Sequence, residues 1–154
     1  MKILALDSSG LVASVAVVEN DTLIAEYTVN YKKTHSQTLL PMLDEISNMT
    51  ELDLSTIDAI AVAGGPGSFT GLRIGSATAK GLGLALEKPL ISIPTTAAIA
   101  YNIWDTNKFV CPIMDARRNQ VYTGVYCYTD HRLDTVWEQD TMSIEALAEG
   151  LNCL

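Results

Sequence analysis

The chain has 154 residues, 48% of them hydrophobic, with a formal net charge of −8 and a calculated isoelectric point near 4.5. That length and apolar content suffice for one domain or two small lobes with a real core, and exclude a disordered or fibrous chain. The acidic balance opposes direct, phosphate-driven binding of nucleic acid.

At the N-terminus, Asp7 interrupts the first apolar run and Ser8-Ser9-Gly10 splits it into strand-length pieces. No targeting segment or membrane span is read there, and a cytoplasmic location is expected. Lys2 to Leu6 and Val12 to Val18 are nearly continuous apolar strands, the pattern of strands covered on both faces. A third strand follows, in which Leu23, Ala25, Tyr27 and Val29 alternate with polar residues apart from Ile24. Short turns between the three imply an antiparallel meander.

Thr34 and Gln37 form a capping box ahead of a helix that carries Leu39, Leu40, Leu43 and Ile46 at helical spacing. Pro41 inside it predicts a kink. A buried strand is expected from Ile57 to Ala63, a helix from about Ser68 to Leu86, a strand from Leu90 to Ile93 and a helix from Thr95 to Trp104. The first lobe thus reads βββαβαβα. Phe109 to Met114, ending in Asp115, and Val121 to Tyr128 echo the first two strands, as a duplicated fold would. A helix from Ser143 to Leu151 follows. The expected division is residues 1–104 and 105–154.

The strand-to-helix turn Gly64-Gly65-Pro66-Gly67-Ser68 is the most specific local feature. Backbone N–H groups at such a turn can face an anion, which makes Asp7, Gly65, Gly67 and Ser68 candidates for nucleotide or phosphate contact. The spacing fits neither a Walker loop nor a dinucleotide fingerprint. With Asp7 so close, phosphate would need a bridging cation; the plainer reading is that Asp7 caps its own turn.

No catalytic set is evident. His35 and His131 are far apart, and Ser68 lacks a nucleophile elbow. Arg117 and Arg118 suit a solvated turn. Cys111, Cys127 and Cys153 show no paired spacing, so neither disulfides nor a metal site is expected, and buried thiols are. Four glycines between Gly71 and Gly83 are costly in a helix unless something approaches closely. Gly75, Ala79 and Gly83 form one small-residue stripe and Ala77, Gly81 and Ala85 another.

Taken together, Gly64 to Gly75 (GGPGSFTGLRIG) with Ala79-Lys80-Gly81, Lys2 to Ser9, His35-Ser36-Gln37 with Leu39-Leu40-Pro41, and Asp115 to Arg118 with Val121-Tyr122 closely resemble the motifs of the TsaB (YeaZ) family. The resemblance implies an α/β, actin-like (RNase H-like, ASKHA) fold with a partial second lobe, since family members continue beyond this length. It implies a non-catalytic subunit that pairs with the catalytic subunit TsaD to make threonylcarbamoyladenosine beside the anticodon of tRNAs reading codons that begin with A. TsaE, an ATPase, would be a further partner, and tRNA would be met only through the complex. A homodimer through the helices near 35–49 and 68–86 is implied for the subunit alone. Leu39, Leu43, Ile46, Leu72, Gly75, Ala79 and Gly83 are the expected interface. No cofactor of its own is implied; ATP and magnesium belong at the partner or subunit junction. The alternative is a free-standing ATP-binding kinase or hydrolase of the same superfamily.

Overall fold

The computed structural model describes residues 1–30 and 35–154. It forms two compact units, Met1–Ile93 and Pro94–Leu154. The sequence reading divided the chain at 104/105; the helix after Pro94 goes instead with the second unit, because it packs on that unit's long central strand.

In the first unit β1 (Lys2–Asp7), β2 (Ala13–Glu19), β3 (Thr22–Val29), β4 (Ala59–Gly65) and β5 (Leu90–Pro94) form one sheet in the order β3-β2-β1-β4-β5. The first three are the expected antiparallel meander, and β4 runs parallel to β1. Register sets Leu4 beside Val17 and Ile60, and Leu6 beside Val15. These side chains are buried with Leu39, Met42, Leu43 and Ile46 of α1 (Leu39–Thr50). In β3 the alternation fails at Ile24 because Val17 pairs with Ala25 and Val18 with Leu23. Ile24 is thus the extra residue of a β-bulge.

Pro41 does not kink α1. It is the third residue of that helix, where its missing N–H would have had no intrahelical partner. The predicted capping box falls on Thr34, outside the described residues. A longer helix, α2 (Phe69–Leu86), joins β4 to β5 and packs chiefly on β4.

The second unit begins with α3 (Thr95–Ala100), which tightens into a 3₁₀ turn at Tyr101–Ile103 rather than continuing to Trp104. Three antiparallel strands follow: β6 (Ile113–Arg117), β7 (Gln120–Thr129) and β8 (Arg132–Ser143). The expected strand at Phe109–Met114 is thus displaced to Ile113–Arg117, with Val110 making a lone bridge to Tyr126. Unanticipated from the sequence, β8 carries Asp134, Glu138 and Asp140, which mask its strand pattern. Ala100, Val110 and Tyr126 form the core of this unit, and the Tyr126 hydroxyl meets Thr96 Oγ1 at 2.7 Å. The unit closes with α4 (Ile144–Leu151), capped by Ser143 Oγ, which accepts from Ala146 N at 3.1 Å. Among the described residues no helix is long and apolar enough to cross a membrane.

Candidate functional site

The sequence brings the β1–β2 turn and the β4–α2 turn together at one end of the sheet, since β1 and β4 are parallel neighbours. Gly65 has φ +103°, a conformation that favours glycine. A Cβ at Gly67 would come within 2.4 Å of the Ser9 carbonyl oxygen. Ser68 N donates to that same oxygen at 2.6 Å. Asp7 Oδ1 accepts from Ser9 N at 2.7 Å, and Ser8 Oγ donates to Gly71 O at 2.8 Å. Ser68 Oγ accepts from Gly71 N at 3.3 Å and so caps α2.

Asp7, Gly65, Gly67 and Ser68 are therefore neighbours, as expected, and hydrogen bonds within the chain link them. Backbone of Ser9 occupies the space over Gly67, and the Ser68 N–H that would face a phosphate already has its acceptor. Asp7 does what its plainer reading said: it fastens its own turn. The second unit repeats the device, because Asp115 Oδ1 accepts from Arg117 N at 2.7 Å just as Asp7 does from Ser9 N. Arg117 and Arg118 lie in the exposed, positive-φ turn that follows.

The outer surfaces of α1 and α2 differ from the expected interface. Leu39, Leu43 and Ile46 are buried in their own core, and Gly71, Gly75, Ala79 and Gly83 are the buried line of α2. A Cβ at Gly75 would approach Ser8 Oγ to 2.5 Å, and one at Gly83 would approach Leu90 Cδ2 to 2.8 Å. This stripe exists so that the helix can sit close to its own sheet and turns. Leu72 is half-buried. What faces outward is the second stripe, where Gly81 has nothing within 4 Å of its would-be Cβ. Beside it Leu84 is 84% exposed, and on α1 Met49 is 76% exposed. The expected interface took the stripe of Gly75, Ala79 and Gly83, because periodicity alone does not say which of the two stripes meets the sheet.

Elsewhere, His131 Nδ1 lies 2.6 Å from Asp105 Oδ2, and no three His, Cys, Asp or Glu side chains among the described residues gather as a metal set. The expectation of buried thiols fails at Cys153, which is exposed, while Cys111 and Cys127 are half-buried.

Residues 22–152 match the family model described as TsaD, tRNA N6-adenosine threonylcarbamoyltransferase. The chain is 39% identical over 136 residues to the tRNA threonylcarbamoyladenosine biosynthesis protein TsaB of Bacillus subtilis, covering 88% of this chain and 59% of that protein. Against the Escherichia coli protein of the same description it is 38% identical over 128 residues, covering 82% and 55%. The solved structure of YeaZ from Pseudomonas aeruginosa superposes with a TM-score of 0.82 at 31% identity, covering 94% of this chain and 68% of that one. The chain belongs to the TsaB (YeaZ) family. Its fold is accordingly the actin-like, RNase H-like one, seen here in the five-stranded sheet of the first unit. The chain spans somewhat over half the length of these two curated TsaB relatives.

Proposed function

We propose that this chain acts as a non-catalytic subunit in threonylcarbamoyladenosine synthesis, pairing with a TsaD-like transferase that modifies the adenosine beside the anticodon in tRNAs reading codons that begin with A. The TsaB relatives support the pathway. The non-catalytic reading is carried by one observation: Ser9 backbone fills the glycine turn where an enzyme of this superfamily would hold phosphate. On this reading the chain has no nucleotide or metal of its own; ATP and magnesium belong to the partner or the subunit junction, and a TsaE-like ATPase joins the assembly. The net charge of −8 supports contact with tRNA only through the complex. The cytoplasm, where tRNA is modified, is the proposed location.

The pairing surface we infer is the outward side of α2 centred on Gly81 and Leu84. Gly81 lowers helix stability by about 1 kcal/mol relative to alanine and, among the described residues, meets nothing that requires a glycine. Close approach of a partner helix gives it a purpose. Alone, the same surface would serve a homodimer.

Size-exclusion chromatography with light scattering, on the chain alone and mixed with the TsaD of the same organism, tests this. A one-to-one complex that is lost in Leu84→Arg and in Gly81→Leu, while the melting temperature holds, is the expected result. A complex indifferent to both changes overturns the assigned surface. A rise in melting temperature on adding ATP and magnesium to the chain alone would overturn the non-catalytic reading in favour of a nucleotide-binding enzyme.

A further inference from the structure

The flank of α2 away from α1 overhangs the edge strand β5 and leaves an open groove of about 640 Å³ lined by Leu72, Arg73, Ser76, Lys80, Leu90 and Ser92. Three features of it point the same way. The first is the edge itself. Pro89 O accepts from Ile60 N, so Pro89 and, by the alternation of strand bonding, Ile91 and Ile93 turn their backbone groups toward β4. Leu90 and Ser92 then turn their N–H and C=O groups to the free side of the sheet, where β5 is the terminal strand. Leu90 is also exposed there.

The second is charge. In a chain of net charge −8, α2 carries no acidic residue, and its two charges, Arg73 and Lys80, both line this groove. Among the described residues neither forms an ion pair. The Arg73 guanidinium lies 3.9 Å over the Phe69 ring, which holds it at the groove's mouth. The third is spacing: the cations are seven residues apart, about 10 Å along a helix. Carboxylates on one face of an added strand fall about 7 Å apart, within reach of both flexible side chains.

We propose that the groove between α2 and β5 is a docking site for an extended, acidic–apolar segment of a partner protein, which adds to β5 as a strand and sets carboxylates against Arg73 and Lys80. This is β-strand addition beside a helix. Backbone pairing at Leu90 and Ser92 supplies sequence-independent affinity, Leu72 and Leu90 receive the apolar side chains, and the cations select acidic ones. Pro94, the last residue of β5, falls in phase with Leu90 and Ser92 and has no N–H to offer on the free side, which limits the added strand to a short segment and guards the edge against open-ended pairing. Ala77 of the outward stripe also lines the groove, so the two surfaces adjoin along α2, but the groove's recognition rests on Arg73, Lys80 and the edge of β5 and not on Gly81 or Leu84.

The probe is a fluorescein-labelled octapeptide of alternating valine and glutamate, with fluorescence anisotropy read on this chain alone, so failure of TsaD pairing leaves the result intact. Saturable binding is expected, weakened about tenfold or more by Lys80→Glu or Arg73→Glu, each on the exposed helix surface where folding is unaffected. Ser92→Pro, which removes one outward N–H and leaves the bonds to β4, should weaken it likewise, as should N-methylation of the peptide backbone. Absence of saturable binding up to about 1 mM overturns the proposal. So does equal binding of the N-methylated peptide, or of oligouridylate, either of which would make the groove a general anion surface.

Discussion

Replacing a glycine of α2 with alanine gains the same helix preference at every interior position, about 1 kcal/mol, so differences between positions measure what each new methyl group meets. At Gly81 it meets nothing within 4 Å; Gly81→Ala should therefore stabilise the chain by about 1 kcal/mol and raise its melting temperature by roughly 4 °C. At Gly83 it meets Leu90 Cδ2 at 2.8 Å, which can rotate, and the Lys88 carbonyl oxygen at 3.2 Å, which cannot easily do so. The gain should be offset there to near zero. At Gly75 it meets Ser8 Oγ at 2.5 Å, and that buried hydroxyl is the donor to Gly71 O that ties the two turns together. Displacing it leaves a buried polar group unsatisfied at about 1–3 kcal/mol, so after the helix gain Gly75→Ala should give a net loss of up to about 2 kcal/mol. Urea denaturation of the three variants, compared at constant slope, reads the order Gly81, Gly83, Gly75 from most to least stable. Equal shifts at all three would mean that propensity alone governs the helix and that the assignment of inner and outer stripes is wrong.

Asp53 accepts from Ser55 N at 2.9 Å at the start of a 3₁₀ turn, and this hydrogen bond, the largest cause, holds its carboxyl below the ordinary 3.8. Because the folded value is the lower one, its contribution to stability is present above that pH and is lost as the pH falls through the folded value. A carboxyl-carbon NMR titration should show Asp53 still ionised where free aspartate is half protonated, and Asp53→Ala should flatten that acid limb of the melting profile. Tyr128 packs edge-on to Tyr101 and Trp104 at 6.1 and 5.3 Å, with its buried hydroxyl lacking a partner among the described residues. Tyr128→Phe should therefore be neutral or stabilising in thermal denaturation, and a loss above about 1 kcal/mol would reveal a hydrogen bond at that oxygen. Desolvation also pushes the Tyr128 phenol above its ordinary 10.0, so the folded wild type should lose stability as the pH rises above that value, and Tyr128→Phe should remove that alkaline dependence.

How far the sequence could be read depended on whether a residue's role was local or tertiary. The meander, the buried strand before the glycine turn and the span of α2 were legible because continuous apolar runs, a Gly-Pro-Gly turn and a serine cap are local signals. The break at Ile24 was visible as a flaw in alternation and proved to be a bulge. Pro41 was misread because its effect depends on a helix start that the sequence placed too early; the α-helix begins at Leu39. With acidic residues at alternate positions, β8 has no apolar face of its own to announce it, and only pairing along most of β7 makes it a strand.

The candidate surface shows the same limit more sharply. Two stripes of small residues on one helix are equivalent in sequence, because periodicity fixes their angle to each other and not to the sheet. What orients them is Ser8, whose hydroxyl must reach Gly71 O and so needs a bare backbone at Gly75. That hydrogen bond, together with Ala79 in the core and Ile74, Leu82 and Leu86 packed against it, turns Gly75, Ala79 and Gly83 inward. It leaves Gly81 and Leu84 outward, and it swings Arg73 and Lys80 over the free edge of β5. The glycines that make the family's motif recognisable thus serve the fold, and the residues available to partners are the ones between them.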